Sequence, residues 1–211
     1  MTRERLDAAL RQCPLVAILR GIRPDEIVAV ADALVDLGYS MIEVPLNSPD
    51  PLDSLARIGG RYDPAILIGA GTVLSAVEVM QVQQAGGSLV VAPNANPRVI
   101  AEGAKRNMVV LPGFATPTEA FAAIEAGATG LKFFPAEAAS PKALRAQRSV
   151  LPKDMPILVV GGIQPTDMAD WSAAGADGFG LGSGLFAPGM TARDVAARAA
   201  LYQKALRGEE P

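Results

Sequence analysis

Short apolar, β-branched runs return along the chain at nearly constant intervals: "LVAILRG" (15–21), "MIEVPLN" (41–47), "AILIGAG" (65–71), "SLVVAPN" (88–94), "MVVLPGF" (108–114), "GLKFFPAE" (130–137), "PILVVGG" (156–162) and "GFGLGSG" (178–184). Their starts lie 26, 24, 23, 20, 22, 26 and 22 residues apart. Continuous apolar runs, rather than strict alternation, are what strands buried on both faces of a parallel sheet require. Between them the pattern changes to that of an amphipathic helix, as in "DEIVAVADALVDLG" and "TEAFAAIEAGA". The prolines Pro24, Pro49, Pro97, Pro117, Pro141 and Pro165 each follow a run by a few residues, where a helix begins and a missing N–H is harmless. Thr116-Pro117-Thr118-Glu119 is a capping-box pattern, and Gly38, Gly86, Gly127 and Gly175 stand where helices should stop.

Eight strand-then-helix units in 211 residues predict an α/β fold of the (β/α)8 TIM-barrel type, at the short end of its size range. A doubly wound open sheet is the structural alternative, but it usually has fewer strands, and the first turn here lacks a G-x-G-x-x-G fingerprint. Only an extra N-terminal helix, "MTRERLDAALRQ", and the tail after Gly208 fall outside the repeat, so residues 1–211 are expected to form a single barrel domain. That first segment is too charged for a secretory signal, and no apolar run approaches the roughly 18 residues needed to span a bilayer.

Composition narrows the chemistry. A net charge of −3 with no basic run argues against nucleic acid or an anionic membrane surface as partner. The lone cysteine, Cys13, excludes an internal disulfide and suits a reducing compartment, so a cytoplasmic location is expected. The chain contains no histidine at all. That removes Ser-His-Asp and Cys-His nucleophilic sites, together with the usual imidazole ligands of zinc and iron. Acid–base work falls to carboxylate, lysine, tyrosine or water.

In such barrels the site is built at the C-terminal ends of the strands. The first run ends in Arg20, the second contains Glu43 and ends in Asn47, and the third leads to Thr72. The sixth carries Lys132, and the last two end in Gly161-Gly162 and Gly182-Ser183-Gly184. Glu43 and Lys132 are unusual because each charge is flanked by apolar neighbours. By alternation Glu43 shares its strand face with Met41 and Pro45, and Lys132 shares its face with Phe134, so both can meet inside the barrel. Two bland readings compete: a buried Glu–Lys ion pair, which is an expensive way to stabilise a core, and a lysine stem lying on the wall with its head in water. The functional reading is a desolvated lysine whose lowered pKa supplies a neutral amine for Schiff-base formation, with Glu43 as proton shuttle. The paired glycine turns, with the Ser183 hydroxyl, resemble phosphate sites in which backbone N–H groups and a short helix N-terminus face the anion; tight turns alone are the alternative. Arg20 is either an anion ligand or a solvated strand-end arginine, and Thr72 either a site residue or a cap for the next helix.

The motifs "AILRGI", "IEVPLNSP", "IGAGTV", "LKFFPAE" and "VVGGI", in this order from about Pro14 to Phe186, resemble the bacterial 2-keto-3-deoxy-6-phosphogluconate/6-phosphogalactonate aldolases. The resemblance implies a homotrimeric, metal-free class I aldolase without a cofactor, in which Lys132 forms the Schiff base and Glu43 is the acid/base. It further implies that Arg20 and Thr72 contact substrate, with the threonine near the pyruvate carboxylate. Pro93 and Phe134 would line the pyruvate pocket, and Gly161, Gly162, Gly182 and Ser183 would bind phosphate. Asn47 stands where the gluconate branch typically has arginine, and Val160 where it has threonine before the glycine pair; both resemble the galactonate branch. A valine cannot hydrogen-bond a substrate hydroxyl, so the preference at C4 should change. "FFPAEA" looks more like the gluconate branch and leaves dual activity open. The expected reaction is cleavage of a phosphorylated keto-deoxy sugar acid, 2-keto-3-deoxy-6-phosphogalactonate, to pyruvate and glyceraldehyde 3-phosphate. The residues by themselves also admit a phosphosugar isomerase without a covalent intermediate, or a barrel that only binds phosphosugars.

Overall fold

A computed structural model describes residues 2–209. Among these residues nine strands, all parallel, run in the order β5-β4-β3-β2-β1-β9-β8-β7-β6, so the sheet winds around rather than reversing at a switch point. The strands are β1 (Leu15–Ile18), β2 (Met41–Pro45), β3 (Leu67–Gly71), β4 (Leu89–Val91), β5 (Val109–Leu111), β6 (Gly113–Phe114), β7 (Leu131–Phe133), β8 (Ile157–Val160) and β9 (Gly178–Leu181). The fifth apolar run has become two strands because Pro112 interrupts it and has no N–H to give to a ladder. Before the break Val109–Leu111 pairs with β4, and after it Gly113 stands opposite Lys132 of β7. One bent strand thus joins the two ends of the sheet, and the eightfold barrel expected from the repeat is nearly closed.

The helices alternate with the strands: α1 (Thr2–Gln12), α2 (Ile27–Asp36), α3 (Pro51–Ile58), α4 (Ala76–Gln84), α5 (Pro97–Lys105), α6 (Pro117–Glu125), α7 (Pro141–Arg148), α8 (Met168–Ala173) and α9 (Ala192–Leu206). Pro97, Pro117 and Pro141 occupy first helical positions, and the Thr116–Glu119 capping box forms in full. Pro24 and Pro49 instead lie in the loops ahead, and Pro51 opens α3.

Strand side chains divide between two apolar layers. Leu15, Ala17, Ile42 and Val44 point outward and pack with Ile27, Val30 and Leu34 of α2. Val16, Met41, Leu67, Leu89, Val109 and Leu158 point inward and fill the lower barrel. The expected N-terminal helix closes the floor: Leu6 and Ala9 of α1 join that inner cluster, with Leu10 packed against it. The Ser40 hydroxyl donates to the Ala9 carbonyl at 2.8 Å, and Arg5 Nη2 donates to Ser88 Oγ at 3.0 Å, so α1 is fastened to the strand starts. The lower barrel is therefore filled with buried apolar side chains.

Leu6→Ala, which empties a fully buried site in this plug, should cost about 2–5 kcal/mol of unfolding free energy, read by chemical denaturation. A loss under about 1 kcal/mol would show that α1 does not seal the barrel.

Candidate active site

The strand tops converge on a cavity of about 360 Å³. Arg20 reaches it from the end of β1, Thr72 from β3, Pro93 from β4, and Lys132 with Phe134 from β7. Val160, Gly161 and Gly162 line it from β8, and Gly182 with Ser183 from β9. Of the strand-end residues singled out in the sequence, Glu43 and Asn47 do not border this mouth; Asn47 stands behind Arg20. Glu43 lies deeper, lining a small apolar hollow that shares Ile18, Lys132 and Val160 with the mouth above. A larger groove of about 570 Å³ lies outside the barrel, bordered by Asp50, Asp53 and Glu78, and none of the strand-end groups reaches it.

Register sets the depth of the charged pair. Glu43 stands opposite Ile18 of β1 and Gly69 of β3, and Lys132 opposite Gly113 and Leu158. Their neighbours Ile42, Val44, Leu131 and Phe133 belong to the outer layer, so both charges point inward as alternation requires. Glu43 is 2% exposed and Lys132 7%. Gly71 makes room for the carboxylate, since a Cβ there would overlap Glu43 Oε2.

Neither bland reading of Lys132 matches this geometry. Lys132 and Glu43 do not approach within the 4.0 Å of an ion pair, and Glu43 Oε2 is buried without a hydrogen-bond partner among the described residues. The side chain is not spread into solvent either: Lys132 is buried, and Nζ lies 4.6 Å from the centre of the Phe134 ring. Burial pushes the Lys132 pKa below its ordinary value; Glu43 opposes that shift, and Arg20 assists it. Burial pushes the Glu43 carboxyl upward against the pull of Lys132 and Arg20. Each group is thereby biased toward its neutral form, which suits an amine nucleophile beside a carboxyl that carries protons.

Arg20 is held by oxygens that leave its charge uncancelled. Nη1 donates to Asn47 Oδ1 at 2.5 Å, and Nη2 to Thr72 Oγ1 at 3.4 Å. The next residue is fixed as well, since Gly21 N–H donates to the buried Ser48 Oγ at 2.9 Å. Thr72 is not the cap of α4; Ser75 performs that task in a capping box with Glu78. Its φ of 55° is left-handed, which is costly for a β-branched residue and typical of constrained site positions. Gly161 and Gly162 also take positive φ, 116° and 66°, at the turn where β8 leaves the barrel.

Some groups escaped the sequence reading. Asn47 reads in the sequence as the polar end of the second run and as a departure from a motif, but without a partner; its hold on Arg20 depends on two loops meeting. Glu137, in the short turn Ala136–Ala138 after β7, also lines the mouth, close beside Gly162. Its one signal was its place at the end of "GLKFFPAE". Pro188 was invisible because it arrives from the loop beyond β9, to pack where a Cβ on Gly21 would stand. Among the described residues no group of three or more Cys, Asp or Glu side chains is placed to hold a metal ion.

A parallel barrel with a buried amine, a buried carboxyl and an anion-friendly rim at its strand tops defines a barrel enzyme for a small anionic molecule. The family model described as KDPG and KHG aldolase matches residues 6–200, and the chain belongs to that aldolase family. It is 47% identical over 196 residues to a probable 2-dehydro-3-deoxy-6-phosphogalactonate aldolase of Rhizobium meliloti (strain 1021), covering 93% of this chain and 92% of that one. It is 45% identical to the 2-dehydro-3-deoxy-6-phosphogalactonate aldolase of Escherichia coli (strain K12), over 92% of this chain and 95% of the relative. A solved structure described as native KDPGal superposes with a TM-score of 0.91 at 44% identity, covering 93% of this chain and 96% of the other.

Lys132 should titrate below an ordinary lysine, and Glu43→Gln should lower it further by removing the charge that opposes the shift. The pH dependence of Lys132 labelling by an amine reagent, followed by peptide mass spectrometry, reads both values. A Lys132 that titrates normally, or rises in Glu43→Gln, would contradict the coupling.

Proposed function

We propose that this chain is a class I aldolase cleaving 2-dehydro-3-deoxy-6-phosphogalactonate to pyruvate and D-glyceraldehyde 3-phosphate. The observation that carries the reading is Lys132: an amine withdrawn from water at the base of the mouth, without an ion-pair partner, above a buried carboxyl. Lys132 Nζ attacks the C2 ketone as the neutral amine, and the Glu43 carboxyl gives the proton with which the C2 oxygen leaves as water, so that a protonated imine and the Glu43 carboxylate remain. Glu43 takes the proton of the C4 hydroxyl; C3–C4 breaks, its electron pair passes to C3 and the imine becomes an enamine. Glyceraldehyde 3-phosphate departs, Glu43 returns the proton to C3, and water releases pyruvate and the free lysine while its proton goes back to the Glu43 carboxylate.

The rim supplies orientation. Arg20, fixed by Asn47 and Thr72, takes the C1 carboxylate end, while Pro93 and Phe134 form the apolar wall against the pyruvyl part. Gly161, Gly162, Gly182 and Ser183 take the phosphate, so binding energy far from C3–C4 fixes the scissile bond. The chain acts as one barrel domain in the cytoplasm and assembles as a homotrimer, as its resemblance to the aldolase family implies. Among the described residues no helix is long and apolar enough to cross a membrane.

Val160 offers no hydroxyl to the substrate, which favours the galactonate over the gluconate configuration at C4. Steady-state turnover of the two C4 epimers tests this directly. The galactonate epimer should lead in kcat/KM by about tenfold or more, and Val160→Thr should narrow the ratio. A lead for the gluconate epimer would transfer the assignment to the gluconate activity, and turnover of both at similar rates would make the enzyme dual-specific. Lys132→Met should lower kcat by at least about a thousandfold; retained turnover would favour a non-covalent phosphosugar enzyme.

A further inference from the structure

Two side chains outside the cavity support both glycine turns from behind. Arg198 and Tyr202 lie four residues apart on α9, on one helix face. The buried Tyr202 hydroxyl donates to the Ile163 carbonyl at 3.0 Å, directly after Gly161-Gly162. The same oxygen fills the space that a Cβ on Gly184 would occupy. One phenol therefore touches the turn after β8 and the turn after β9. Arg198 Nη1 donates to the carbonyls of Ser183 and Gly184, at 3.2 and 3.4 Å. Those carbonyls are tied toward α9, and a cation stands behind the second turn. Neither side chain lines the cavity.

We propose that Tyr202 and Arg198 are positioning residues that hold these two turns at the spacing required to grip the substrate phosphate, with Arg198 adding positive potential from the rear. The inference rests on the phosphate role given to the turns above. Anion binding by backbone N–H groups is strong only when the amides are aimed beforehand, because a turn that must be ordered on binding spends that energy on ordering. The chain leaves β9 through the second turn and enters α9, and α9 then reaches back to the first turn. The helix therefore ties together loops that no strand pairing joins beyond the ends of β8 and β9. Tyr202→Phe deletes one oxygen and leaves a buried carbonyl unpaired; Arg198→Ala removes an exposed side chain.

The test compares kcat/KM for the phosphorylated keto-deoxy sugar acid with that for the same compound lacking its phosphate, alongside competitive inhibition by inorganic phosphate. In Tyr202→Phe the preference for the phosphorylated substrate should fall about tenfold. In Arg198→Ala it should fall about three- to fivefold, and phosphate should inhibit both variants more weakly. Equal losses on the two substrates would mean general loosening and would overturn the proposal, as would an unmoved ratio. Should Tyr202→Phe fail to fold, Arg198→Ala decides alone by the same criterion. Wild-type protein that neither prefers the phosphorylated substrate nor responds to phosphate would overturn the phosphate role and this proposal together. A normal wild-type preference with unmoved variants overturns this proposal alone.

Discussion

The structure depends on keeping one ammonium group out of water. An isolated charge in an apolar interior is so unfavourable that the group shifts its pKa instead, and the barrel is arranged to impose that condition on Lys132. Below it the inner leucines, valines and Met41 pack with Leu6 and Ala9 of α1, so the interior beneath it is apolar and buried. Beside it the Phe134 ring covers the head group. Glu43 is near enough to influence it electrically yet makes no ion pair that would restore an ordinary ammonium. A firm Glu43–Lys132 salt bridge would stabilise both charges and remove the neutral amine that Schiff-base chemistry needs.

The rim complements this neutral centre with two differently built electropositive ends. At the β1–β3 side a formal charge, Arg20, is held by neutral partners. Other arginines on this chain, such as Arg57 with Asp53 and Arg61 with Asp32, are paired with carboxylates. At the β8–β9 side the glycine turns offer backbone groups. In the proposed function a substrate with a carboxylate at one end and a phosphate at the other would span these ends, with its ketone over Lys132. Glu137 adds a carboxylate to the phosphate side, which tempers the charge there.

Most of the barrel was legible because the strand period and the helix caps are local features. The capping box at Thr116 could be read from four residues, and the inward orientation of Glu43 and Lys132 from alternation alone. The split at Pro112 was written in the sequence too, but which half pairs with β4 and which with β7 depends on barrel closure. Pro49 was placed too early as a helix start because Pro51, two residues on, satisfies the same rule. Asn47 holding Arg20 and Tyr202 spanning two turns are contacts between segments 27 and 39 residues apart, and no periodicity reports them. The missing histidines, a matter of composition only, did more than any motif to direct attention to the lysine.

The central claim is that Lys132 forms a covalent imine with the substrate ketone, and trapping with borohydride tests it most directly. Protein reduced in the presence of pyruvate, digested and mapped by mass spectrometry should carry a single reduced pyruvyl adduct on Lys132, with activity lost in parallel. An unmodified Lys132 with turnover intact, or an adduct on another lysine, would contradict the account.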